Sequence, residues 1–112
     1  MQPPKNRGEI YEIDLPKGVG SEQHGKRYGV VIQNNSVEVS TVVIVPTSMS
    51  AGDATYRPTI TIEGEETRVM VEQMRSLDHK RFKSCVGNVT VHELTAIENA
   101  LDLVLDLGTG QF

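Results

Sequence analysis

The stretch YGVVIQNNSVEVSTVVIVP, Tyr28 to Pro46, decides the fold. It holds two nearly continuous runs rich in Val and Ile, Tyr28 to Asn34 and Ser40 to Pro46, joined by the polar connection Asn35 to Ser40. Runs of this length predict central strands covered on both faces. Upstream, Gly8 to Leu15 sets Tyr11, Ile13 and Leu15 against Glu12 and Asp14, the alternation of a half-buried strand. Downstream, Thr59 to Glu63 and Arg68 to Glu72 also alternate, and the Glu63-Gly64-Glu65-Glu66 stretch between them predicts a hairpin. A last short strand is expected over Lys83 to Val89. After Asn88 the period changes. Thr90-Val91-His92-Glu93 is a capping-box pattern, Leu94, Ile97, Leu101, Val104 and Leu105 follow at helical spacing, and Gly108 marks the stop. Ala100, Leu103 and Leu107 widen the apolar stripe beyond what one small sheet needs. The expectation is one mainly β domain over residues 1–112 with a C-terminal α-helix.

Composition narrows the function. At 112 residues, 38% hydrophobic and 23% charged, the chain matches an ordinary globular domain and excludes disorder or a fibrous repeat. With two Phe, three Tyr and no Trp, stacking several nucleobases on aromatic platforms is excluded as the main binding mode. No apolar run approaches bilayer length and the N-terminus has no export-type stretch. A single cysteine, Cys85, can form no internal disulfide, and a cytoplasmic location is expected. The net charge of −4 argues against a general nucleic-acid binder. Its distribution is uneven. Arg75, Lys80, Arg81 and Lys83 make one basic edge, and Glu93, Glu98, Asp102 and Asp106 make the helix acidic.

Three stretches could carry chemistry. Gly18 to Arg27 gathers three glycines with Glu22, Gln23, His24, Lys26 and Arg27. It lacks the spacing of a phosphate-binding P-loop and the helix that follows a dinucleotide fingerprint. Pro46-Thr47-Ser48 ends an apolar strand with two hydroxyls. Glu72-Gln73-Met74-Arg75-Ser76 is polar and reads as a turn. His79 and His92 have no partner at metal-ligand spacing, so neither a metal nor another cofactor is expected. Both are expected at the surface, and Cys85 is expected to be a small buried apolar residue.

Arg7-Gly8-Glu9-Ile10-Tyr11-x-x-Asp14-Leu15, Gly20-Ser21-Glu22-Gln23-x-Gly25-x-Arg27, Val30-Val31-Ile32-Gln33-Asn34, Val71-Glu72-Gln73-Met74-Arg75-Ser76-Leu77-Asp78, Gly87-x-Val89 and Glu93-Leu94-x-x-Ile97 occur in that order. Over essentially its whole length the chain resembles the MazF/PemK family of toxins from toxin–antitoxin pairs. The resemblance implies a compact SH3-like (CcdB/MazF-type) β-barrel with a C-terminal helix, working as a homodimer. It also implies metal-independent, sequence-specific cleavage of single-stranded RNA by 2′-OH attack, and neutralisation by an antitoxin protein. Arg27 matches the catalytic arginine, Thr47 the site hydroxyl and Glu22 the loop glutamate, a proton acceptor or base-contacting group. Ser21, Gln23, Asn34, Ser48 and Gln73 would hold RNA. Tyr28 stands where the family has Pro, and Pro46 abuts Thr47 without the usual spacer, which leaves Thr47 and Ser48 as alternatives for the phosphate-facing hydroxyl. His24 could titrate near neutrality and join the acid–base work. The alternative is a catalytically inactive or gyrase-poison-like toxin of the same fold that grips a protein.

Overall fold

The computed structural model describes residues 5–22 and 25–108. Its strands are β1 (Glu9–Leu15), β2 (Gly25–Val31), β3 (Thr41–Ser48), β4 (Thr59–Ile62), β5 (Glu65–Val69), β6 (Arg75–Asp78) and β7 (Phe82–Asn88), followed by helix α1 (Val91–Leu105). The hydrogen-bonded order is β4-β5-β3-β2-β1-β7, with β6 added beside β3. Strand β3 changes partner along its length: Thr41 to Ile44 pair with β6, whereas Thr47 and Ser48 pair with β5. That switch curls the antiparallel sheet into a half-barrel.

The continuous apolar runs are explained by two cores. Ile10, Val30 and Val45 join Ile60, Ile62, Val69, Val71, Ile97 and Ala100 in one. Ile13, Leu15, Val31, Val42, Ile44 and Leu77 form the other, with Tyr11 and Phe82 packed against it. Alternate residues of β1, β2 and β3 thus enter opposite cores over most of their length, while Lys26 at the start of β2 stays exposed. Each fully buried Ile or Val contributes about 1.5–3 kcal/mol from desolvation.

The helix begins where the capping pattern set it. Thr90 Oγ1 accepts from Glu93 N at 3.1 Å, and Thr90 N donates to Glu93 Oε1 at 2.8 Å. Glu93 Oε2 also accepts from Thr61 N at 2.8 Å, tying the edge strand β4 to the first helical turn. Only the early part of the stripe is covered. Ile97 and Ala100 are buried, whereas Leu103, Val104, Leu105 and Leu107 are exposed, and the chain turns at Asp106 rather than at Gly108.

Several expectations are corrected. Strand β2 starts at Gly25 rather than Tyr28, because Leu15 pairs with Gly25 and the ladder runs unbroken from there, so Arg27 belongs to a strand. The hairpin turn is Glu63-Gly64 alone, with φ of 51° and 85°. Glycine tolerates such angles, and this tight turn draws Glu65 and Glu66 into β5. Val71–Gln73 is a 3₁₀ turn, and β6 occupies Arg75–Asp78, read from sequence as a turn. Cys85 is exposed, because β7 lies at the sheet edge and its register with β1 shifts beside Tyr11. His92 is exposed as expected, but His79 is half-buried and lies 3.2 Å through Nδ1 from Lys5 Nζ.

Candidate active site

A cavity of about 380 Å³ opens at the ends of β2 and β3. It is lined by Glu12, Lys26, Arg27, Tyr28, Thr47, Ser48, Met49 and Ser50. Three sequence-predicted residues therefore meet here: Arg27, Thr47 and Ser48. Both hydroxyl residues are buried, at 3% and 5% exposure, because β3 continues through them.

Alternation sorts the side chains along these strands. Ile13 pairs with Arg27 and Glu12 with Tyr28, so Arg27 lies on the face of the Ile13 core and Tyr28 on that of Glu12. Gly29 pairs with Pro46. Continuing that register sets Thr47 across from Tyr28 and Ser48 across from Arg27. The hydrogen bonds agree. Thr47 Oγ1 donates to the Tyr28 carbonyl at 3.0 Å, which uses its only proton inside the sheet. Ser48 Oγ lies 3.2 Å from Ser50 Oγ and accepts from Ser50 N at 3.3 Å. The cavity thus gathers groups from both faces at the strand ends.

Arg27 carries the electrostatics. Its Nε is buried and has no hydrogen-bond partner among the described residues. Arg27 also lines the cavity, and its guanidinium nitrogens suit an incoming anion, above all a phosphate taken by two parallel bonds. Tyr28 Oη donates to Glu63 Oε1 at 3.0 Å. That bond, then the Glu63 charge, raises the phenol's pKa, so Tyr28 stays protonated.

Of the remaining predicted residues, those that are described do not line the cavity. Glu22 folds back on its own loop: its Oε1 accepts from Val19 N at 2.6 Å and its own N donates to Val19 O at 3.1 Å. Gly18 makes room for this, since a Cβ there would meet Glu22 Cβ at 2.6 Å. Ser21 is exposed on the same loop. Asn34 is exposed and its Oδ1 accepts from Ser36 N at 2.7 Å. Gln73 ends the 3₁₀ turn that precedes β6. Gln23 and His24 lie outside the described residues.

Reading the sequence missed Glu12 and Ser50 and gave Lys26 no role beyond its place in the Gly18-to-Arg27 stretch. Glu12 was legible as a polar position of a strand, but its neighbours became visible only with the β1–β2 register. Arg57 was missed as well. Its Nε and one terminal nitrogen reach Glu72 Oε2 at 2.9 and 2.6 Å, pinning the 49–58 connection to the turn bearing Gln73. Among the described residues, no three His, Cys, Asp or Glu side chains are grouped to hold a metal ion.

Residues 6–105 match the family model described as PemK-like, MazF-like toxin of type II toxin-antitoxin system, and the chain belongs to that family. The endoribonuclease MazF of Staphylococcus saprophyticus is 32% identical over 111 residues, covering 92% of either chain. That of Staphylococcus epidermidis is 29% identical, covering 90% of this chain and 91% of its own. The crystal structure of MazF from Deinococcus radiodurans superposes with a TM-score of 0.84 at 18% identity, covering 95% of this chain and all 100% of that one. A mycobacterial endoribonuclease solved with its cognate antitoxin gives 0.78 at 20% identity, over 92% and 96% of the two chains. These two share the fold described above.

Proposed function

We propose that the chain is the RNA-cleaving toxin of a type II toxin–antitoxin pair, acting in the cytoplasm on single-stranded RNA without a metal ion. The observation that carries this reading is the Arg27 guanidinium at a cavity holding the hydroxyls of Thr47 and Ser48. The relatives named as endoribonucleases support it.

In this reading the ribose 2′-OH attacks its own 3′-phosphate and expels the 5′ oxygen, leaving a 2′,3′-cyclic phosphate and a 5′-OH end. Arg27 neutralises the charge that builds on the phosphoryl oxygens, and Ser48, on its face, adds a hydroxyl donor. Thr47 holds β3 against β2 at that point, so these donors keep their spacing. The exposed Leu103, Val104, Leu105 and Leu107 would be covered in a homodimer, which lengthens the RNA groove. The partner that silences it is an antitoxin whose acidic, partly apolar segment competes for the same cations.

Incubation of the purified protein with a long, weakly structured RNA in EDTA tests the reading. Discrete fragments with 5′-OH and 2′,3′-cyclic phosphate ends are expected. Intact RNA at stoichiometric enzyme would overturn it in favour of a toxin that grips a protein.

A further inference from the structure

Strand β3 ends between two arginines. Ser48 pairs with Arg68 of β5 on one side, and the β2 register sets it across from Arg27 on the other. Residues directly opposed in an antiparallel pair share a face, so Arg27, Ser48 and Arg68 stand in one row on one side of the sheet. We propose that Arg68 binds the RNA phosphate next to the one held at Arg27, an inference that rests on the reading above.

Three observations carry it. The first is the face. Thr47 pairs with Val69, which is buried in the core of Ile97, so Ser48 and Arg68 belong to the opposite side, that of Ile13 and Ile44. Arg75, opposite Ile44, is on that side too, so β2, β5 and β6 each bring an arginine to it. The second is the spacing. Adjacent strands lie about 4.8 Å apart, so the backbones of Arg27 and Arg68 are about 10 Å apart, within reach of neighbouring phosphates for two long side chains. Arg68 does not line the cavity at Arg27, so the phosphate it meets is not the scissile one.

The third is that Arg68 already holds an anion. Its Nη2 lies 2.6 Å from Asp53 Oδ1, with the arginine side chain 30% exposed and that of Asp53 89% exposed. A carboxylate so open to water gains little from its pair and gives way readily to a phosphate, which the guanidinium can take through two bonds. Asp53 thus stands in for the RNA backbone in the free protein and is displaced when the strand arrives.

The test measures the affinity of Arg68→Ala, Arg68→Lys and Asp53→Asn for the all-deoxy oligonucleotide of a cleaved site over a range of salt, beside cleavage of RNA in EDTA. Lys83→Ala and Glu38→Gln remove the same charges at exposed positions elsewhere and serve as controls. Arg68→Ala should weaken binding by about tenfold at low salt and make the salt slope shallower by about 0.7, the value of one phosphate on a single strand. The loss should not vary with the flanking bases. Cleavage should fall with it at low protein concentration and recover as protein is raised. Arg68→Lys should keep the slope and part of the affinity. Asp53→Asn should bind several-fold more tightly, and this arm decides even where Arg68→Ala folds poorly. Unchanged affinity and slope in Arg68→Ala, a loss that follows base identity, or no tightening by Asp53→Asn beyond that of Glu38→Gln overturns the assignment. Absence of cleavage by the unaltered chain removes the RNase reading itself and is told apart by that control.

Discussion

Thr47 gives its hydroxyl proton to the carbonyl of Tyr28 at 3.0 Å, and this bond separates two adjacent residues that the sequence leaves equivalent. The proton of Thr47 is held within the sheet, and Ser48 sits across from Arg27. Thr47→Val should therefore act on stability, costing about 1 kcal/mol for the lost bond, with a melting point lower by several degrees. Ser48→Ala should act on cleavage, lowering the rate by tenfold or more with little change in melting point. Measuring both properties for both variants decides it. A Ser48→Ala protein of full activity would return the role to Thr47.

Arg27→Ala should reduce RNA cleavage by at least about 10²-fold, and Arg27→Lys should restore little, because a lysine cannot give two parallel bonds to one phosphate. The residue lies in β2 and is half-buried, so a modest loss of stability is expected beside the loss of rate. Single-turnover kinetics with a melting curve for each variant separates the two effects.

Arg57 and Glu72 join the 49–58 connection to the turn that leads into β6. Their side chains are 22% and 23% exposed, so the pair is screened only in part. Arg57→Ala should lower the melting point by a few degrees. It should also raise KM more than it lowers kcat, since it loosens a wall rather than a reacting group. An unchanged KM would show that the wall is held by other contacts.

The uncovered end of α1 predicts self-association. Sedimentation velocity at micromolar concentration should give a dimer, and Leu105→Lys should shift it toward monomer without unfolding it. A monomer across the accessible range in the unaltered chain would count against pairing through this face.

The tyrosines predict an alkaline limit to stability. Burial, then the hydrogen bond to Glu9, pushes the Tyr11 phenol well above its ordinary value, and Glu63 raises that of Tyr28. The folded chain therefore keeps protons that the unfolded chain releases near pH 10. Their contribution is present below that pH and is lost as pH rises above it. Spectrophotometric titration of native protein should show delayed tyrosinate absorbance, restored to the ordinary range by urea.

What the sequence made legible follows from what each signal depends on. The Thr90-to-Glu93 cap and the strand pair Val30-Val31 and Ile44-Val45 depend on neighbours close in the chain or on plain hydrophobicity, and all stand where they were read. Strand β6 was hidden because Arg75 to Asp78 has only one buried residue, Leu77, and its strand character comes from the open edge of β3. Arg27 was visible as a residue type but not as a strand residue, since three glycines precede it. Glu12 acquires meaning only through its register with Tyr28, a contact that no local pattern announces.

The change of partner along β3 also divides the molecule into parts that open on different timescales. Ile44 is bracketed by β2 and β6, and the amides around it should exchange with solvent only on global unfolding. Thr47 and Ser48 are tied to β5, whose other neighbour is the short edge strand β4. The hydroxyl end of the cavity can therefore breathe with the β4–β5 ribbon while the opposite half of β3 stays shut. Amides of Thr47 and Ser48 should accordingly exchange sooner than those around Ile44, a difference that hydrogen exchange reads directly.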